Sequence, residues 1–230
     1  MITALAGIAT GRGSFMSTPE AARALLSLVQ WLSPAFPTGA FAYSHGLEQA
    51  VAAGEIGDAS GLAAWLEDIL AHGAGWNDAV LLGCGLRGED LGELADLARA
   101  LAGSAERLRE TEEQGAAFSR AQGEMRGERL SPLPLPLAVA RAGRDLALPA
   151  EQVIALFQHS FASNLVSAGV RFIPLGQSAG QKVLSGLHEL IADLSVRAAA
   201  AARADLAQSA FRAELGAMAH ETLDVRIFKT

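Results

Sequence analysis

Five histidines, one cysteine and 25 aspartates and glutamates are the groups in this 230-residue chain that could bind a metal, pass a proton or attack a substrate. A zinc hydrolase sets two histidines four apart on one helix face, with a carboxylate beside them. His45, His72, His159, His188 and His220 do not repeat that spacing, since the nearest pair, His45 and His72, is 27 residues apart. His188-Glu189 and His220-Glu221 are adjacent. Neighbours on a helix point to different faces, so each reads as a surface or capping pair rather than a ligand set. Cys84 stands alone, which excludes an internal disulfide and a cysteine-built zinc site and suits a reducing cytoplasm. There is no Gly-x-Ser-x-Gly elbow. Gly176-Gln177-Ser178-Ala179-Gly180-Gln181 has the glycines of a phosphate loop without its lysine or its strand. A catalytic or metal site would have to be assembled from separate helices, as helix bundles can do.

Three stretches ask for another explanation. In Ser33–Glu48, Pro34 and Pro37 cannot sit inside a helix, because each removes an N–H and clashes with the preceding turn. The chain must therefore break into a helix–elbow–helix corner. Gly39 and Gly46 allow close backbone approach there, and Phe36, Phe41 and Tyr43 crowd around it. Such a corner is either a buried connector or a binding surface. After Pro174, Gln177 and Gln181 lie four apart; they either reach a partner or tie off carbonyls that the proline frees. The terminal Val225-Arg226-Ile227-Phe228 is apolar and aromatic where chain ends usually fray. It must dock, on its own core or in a partner's groove with Phe228 as anchor and Arg226 as clamp. The residues alone favour its own core.

The elements that would position these residues read as helices throughout. Alanine and leucine dominate, and no second domain or repeat is visible. Thr18 caps and Pro19 opens a helix to Leu32. A second runs from about Phe41 to Gly54. Asp58 or Ser60 starts a third, whose Leu62, Trp65, Leu66, Ile69 and Leu70 repeat at three/four spacing. A fourth begins near Asp78, and a fifth spans about Asp90 to Ala102. Ser104 caps a longer one to Met125, with an apolar seam of Leu108, Thr111, Gly115 and Phe118. Its charges Arg107, Arg109, Glu110, Glu112, Glu113 and Arg120 read mostly as a solvated face. Arg126–Pro136, with alternating prolines, reads as an extended strap. Helix resumes at Leu137 and again at Pro149, and 149–172 is apolar nearly all round, as a central buried helix is. Ser178 begins another long helix through Leu194, and a short one ends at Ala219. The expectation is an all-α single-domain bundle of about eight to ten helices over residues 17–230. Residues 1–16 are expected to form a disordered extension, because Met1–Ala9 lacks the basic leader of a signal peptide.

The net charge of −7 and the absence of a basic run argue against nucleic acid as a partner. No apolar run is expected to reach the roughly 20 residues that span a bilayer, so the reading is a soluble protein with no membrane partner.

Leu28-Val29-Gln30-Trp31-Leu32 with Ser33–Glu48 resembles the LLQLxSPxxPxGxFxYSxGLE signature of the urease accessory protein F (UreF) family. Asn164–Gln181 and His220-Glu221-Thr222 with Arg226-Ile227-Phe228 agree in the same order. The resemblance runs from about Leu25 to Thr230 and is weakest between Trp76 and Leu148. It implies an all-α, noncatalytic maturation factor without a cofactor of its own, nickel being handled by the complex. It also implies a homodimer that binds a UreD/UreH-type accessory protein and recruits or regulates the GTPase UreG, so that nickel enters apo-urease. Carried over residue by residue, the partner-binding set is Pro34, Pro37, Gly39, Phe41, Tyr43, Ser44, Gly46, Leu47, Glu48, Gly176, Gln177, Gln181, His220, Glu221, Arg226 and Phe228. This moves the expectation for the tail to a partner's groove. The chain departs from the family at Ala40 and Ala42, where glycine and serine are frequent, and at Asp224 and Val225, where the tail commonly has tyrosine and serine. The competing class is a helical metal- or cofactor-dependent enzyme with ligands from separate helices.

Overall fold

Thr18 accepts a hydrogen bond from the Ala21 amide at 3.2 Å and Pro19 opens the first helix, as their types dictate. The structure, a computed structural model, describes residues 18–229; the expectation for residues 1–16 lies outside them. Eleven α-helices follow in order: α1 (Pro19–Trp31), α2 (Leu47–Ala52), α3 (Ala59–His72), α4 (Ala74–Leu86), α5 (Leu91–Ala100), α6 (Ala105–Arg126), α7 (Leu135–Gly143), α8 (Ala150–Phe172), α9 (Gln177–Gly186), α10 (His188–Ala200) and α11 (Phe211–His220). No strand occurs among the described residues. The molecule is one all-α domain, as its alternation of apolar stripes and caps required.

Two helices form the centre. In α8 only Glu151, Ser167 and Arg171 are exposed. The other is α4, in which every residue from Gly75 to Gly85 is buried. It packs on α3, α5, α7, α8 and α10. The apolar residues of α4 run all round it, so it takes the interior position as α8 does. The expectation of a single central helix was therefore incomplete. The 23-residue α8 is long and apolar enough to cross a membrane by length and composition, with a mean hydropathy of 1.3 over an 18-residue window, against the expectation that no segment would be. Here its apolar faces meet α4, α9 and α10.

The other departures have local causes. The expected helix from Phe41 begins only at Leu47, because the corner contains a 3-10 turn at Ala40–Ala42 and then left-handed residues at His45 and Gly46. Helix α4 starts at Ala74 rather than near Asp78, and Asp78 lies within it, accepting a hydrogen bond from Arg107. The expected long helix from Ser178 is two, α9 and α10, separated at Leu187. The proline strap is extended only over residues 129–134, shorter than the expected Arg126–Pro136, because α6 continues to Arg126 and α7 already begins at Leu135. It is tied down by Arg141, which donates to the Ser131 carbonyl at 2.8 Å, and it crosses α6 at Gly115, where a side chain would collide with the Leu133 carbonyl.

Candidate functional site

The corner is shaped by where α11 lies. Gly46 has φ +72°, and a Cβ there would stand 2.6 Å from the Ala217 nitrogen and 2.8 Å from the Gly216 carbonyl carbon. Only glycine permits both the left-handed backbone and that approach of α11. Gly39 is left-handed too (φ +75°), but it faces open space. Between them Tyr43 is buried and its hydroxyl donates to Glu113 Oε2 at 2.6 Å.

With α11 against the corner, the chain end folds back over it. The buried Glu48 carboxylate on α2 accepts the Ile227 N–H on one oxygen and the Phe228 N–H on the other, each at 2.9 Å. His220 ends α11 with no exposed surface and spans two helices: its Nε2 lies 3.1 Å from Glu48 and its Nδ1 2.7 Å from Glu106 of α6. Arg226 donates to the other Glu106 oxygen at 2.8 Å. Phe228 is buried against Phe172, with ring centres 5.1 Å apart, and Arg171 sits over the Phe228 ring. Lys229 closes the arrangement, its amide donating to the Ala42 carbonyl and its ammonium to Glu113, both at 2.7 Å. Burial pushes the Glu48 carboxyl up. The Phe228 and Ile227 amides and His220 outweigh that and hold it below the ordinary carboxylate value.

A second buried cluster adjoins the first along α6. Arg107 donates to Asp78 at 2.6 Å and stands 3.5 Å from Glu110. Glu110 also meets His45 Nε2 at 2.9 Å and accepts from Gln114 at 2.8 Å. Burial raises Asp78 despite the arginine beside it. In Glu110 burial is outweighed by His45 and Arg107, and the carboxyl lies low. These groups and the aromatic Trp31, Tyr43, Phe118, Phe157 and Phe161 line a cavity of about 60 Å3.

Seven of the sixteen expected partner-binding residues are thus interior. Tyr43, Ser44, Gly46, Leu47, Glu48, His220 and Phe228 are buried, and they hold the corner, α11 and the tail together. Phe228, expected in a partner's groove, occupies the chain's own core because Glu48 and Phe172 hold it there. His220 is no surface pair. Glu221 does cap, accepting the Ala105 amide at 2.8 Å and the Glu106 amide at 3.3 Å. Pro34, Pro37, Phe41, Gly176, Gln177, Gln181 and Arg226 are exposed, and Gly39 is half-buried. Neither Gln177 nor Gln181 ties off a carbonyl near Pro174. The Gly169 and Ile173 carbonyls there accept from the Ile173 and Leu175 amides instead.

The sequence reading missed the polar stripe of α6. Glu106, Glu110, Gln114 and Phe118 recur every four residues and are all buried, so Glu110 is not part of a solvated face. Their common spacing with Phe118 is the signal that could have shown it. It also missed the outer face of α11. Phe211, Leu215 and Met218, spaced four and three apart, are 70%, 64% and 46% exposed, and beyond them Val225 and Ile227 of the tail are 78% and 72% exposed. No group of three or more histidine, cysteine, aspartate or glutamate side chains among the described residues is placed to hold a metal.

The UreF family model matches residues 56–188 of this chain. Urease accessory protein UreF of Cereibacter sphaeroides is 58% identical over 207 residues, covering 90% of this chain and 99% of that protein. The proteins of the same name from Paracoccus denitrificans and Dinoroseobacter shibae are 50% and 48% identical, covering 93% and 90% of this chain and 98% and 99% of theirs. The all-helical bundle, the glycine-shaped corner and this likeness along nine-tenths of the chain agree: the chain belongs to the UreF family of urease accessory proteins.

Proposed function

We propose that this urease accessory protein is a noncatalytic adaptor that docks a UreD/UreH-type accessory protein on the surface formed by α11 and the tail. In this reading it thereby recruits or regulates the GTPase UreG for nickel insertion into apo-urease. The observation that carries the reading is the outer face of α11, where Phe211, Leu215 and Met218 stand in solvent on one side of a helix, with Val225 and Ile227 of the following tail also exposed. Large apolar side chains grouped this way mark an interaction surface more often than single exposed ones do. The surface is also held in place. Glu48, Glu106 and His220 fix the inner side of α11 and the tail, so docking spends little free energy on ordering them. The buried members of the family signature act as supports in this scheme, and the exposed α11 and tail side chains make the contact.

Regulation of the GTPase requires that the assembled complex bind its two nucleotide states unequally. Leu26 and Val29, three apart and exposed on α1, and the exposed Phe41 of the corner support self-association as a homodimer. The exposed Gly176, Gln177 and Gln181 support a further polar contact.

Size-exclusion chromatography with light scattering tests the reading. The full chain and a version ending at Leu223, which keeps His220 in place, are each mixed with the UreD-type protein, with and without UreG and GTP. Co-elution of the full chain and its loss in a truncated chain of unchanged helicity are expected. Equal co-elution of both, or of neither, would overturn docking through the tail.

A further inference from the structure

His159 on α8 and His188 at the start of α10 belong to neither buried cluster, yet the packing of α8 on α10 brings them together. Their ring centres are 5.4 Å apart and the planes are inclined by 45°. Among the described residues, neither ring nitrogen has a hydrogen-bond or ion-pair partner of its own. His159 is half-buried and His188 is exposed, so the pair is open to solvent on one side. Two imidazoles bound to one ion at about 2.0–2.1 Å and a near-tetrahedral angle stand with ring centres about 5 Å apart. The observed spacing is close to that.

We propose that His159 and His188 form a two-histidine site for a first-row divalent transition ion of the zinc, nickel and copper class. Imidazole nitrogen suits those ions, whereas magnesium and calcium require oxygen ligands. No third histidine, cysteine or carboxylate among the described residues completes the set, so water fills the remaining positions. An open site of this kind exchanges its ion, unlike a closed four-ligand structural site. The site is independent of the docking reading, because it uses neither α11 nor the tail.

Isothermal titration of the tag-free full chain with zinc chloride at pH 7.5, with magnesium chloride as the control, tests the proposal. A single zinc per chain and no magnesium binding are expected. His159→Gln and His188→Gln should each weaken zinc binding by at least about tenfold, since even an outer partner of a metal ligand matters that much. His72→Gln, which changes an exposed histidine on α3, should leave it unchanged. Zinc should also raise the thermal midpoint of the wild type and of His72→Gln, but not of the other two. Absence of zinc binding, or binding that survives both His159→Gln and His188→Gln, would overturn the site.

Discussion

Replacing Glu48 by alanine should release the carboxyl end while the bundle stays folded. The carboxylate receives two backbone N–H bonds at 2.9 Å and His220 at 3.1 Å. A hydrogen bond to a charged group contributes about 1.5–3 kcal/mol, so the two tail amides together account for about 3–6 kcal/mol of docking. Burial of Phe228 adds about 2 kcal/mol, and the solvent-facing Arg226 and Lys229 pairs add little. Holding each tail residue in one conformation costs about 1–2 kcal/mol against these gains. Without Glu48 the balance moves towards detachment, and the docking equilibrium constant should fall by at least about a hundredfold, at 1.4 kcal/mol per decade. Hydrogen exchange read by mass spectrometry checks this. Peptides over residues 224–229 should exchange like unstructured chain, with α4 and α8 still protected. Glu48→Gln, which keeps the volume but only one acceptor oxygen, should show a smaller change in the same direction. Unchanged exchange at Ile227 and Phe228 in Glu48→Ala would refute the latch. Loss of protection in α4 as well would show that Glu48 supports the core rather than the tail.

Acid should undock the tail too. Glu48 lies below the ordinary carboxylate value when folded, so its contribution is present above the unfolded value of about 4.3 and is lost as pH falls through the folded one. Tail exchange, corrected for its intrinsic rate, should therefore rise between about pH 5 and pH 3. Glu110 acts in the same sense, while the raised Asp78 acts in the opposite one and is relieved on protonation. Gly46→Ala should cost more than about 3 kcal/mol, combining a left-handed penalty of about 1–2 kcal/mol with the collision against α11. Gly39→Ala has the same backbone sign but open space, and should cost about 1–2 kcal/mol alone; calorimetric midpoints, moving about 2–4 °C per kcal/mol, separate the two. Arg107→Ala leaves Asp78 and Glu110 buried beside each other and should cost about 3–5 kcal/mol, with Asp78→Asn restoring part of it in a double-mutant cycle read by urea unfolding.

The helices were legible because their caps and stripes are local. Thr18, Asp58, Asp90 and Ser104 all cap where their types and the apolar runs behind them place a helix start. The break between α9 and α10 was not legible, since Leu187 is no breaker and both helices present the same apolar spacing to the core. The site was legible only as a motif. Nothing local distinguishes Glu48 as a tail anchor, for its partners lie 179 and 180 residues away. Glu106 and Glu110 carry the charge of a solvated face and the spacing of a buried one, and burial won because His220, Arg226, His45 and Arg107 meet them inside. The resemblance picked out several side chains that hold the site, while the exposed α11 stripe became visible only once the fold showed which face α11 leaves to solvent.

The central claim is that the outer face of α11 is the docking surface, and the affinity of the UreD-type protein for surface variants tests it most directly. Phe211→Ser with Leu215→Ser removes two side chains that are 70% and 64% exposed, and Val196→Ser on α10 removes one that is 61% exposed elsewhere. Calorimetric titration should show the first variant binding at least about thirtyfold more weakly, as loss of about 2 kcal/mol from buried contacts implies, with the thermal midpoint unchanged and Val196→Ser binding like the wild type. Wild-type affinity in the α11 variant would contradict the account.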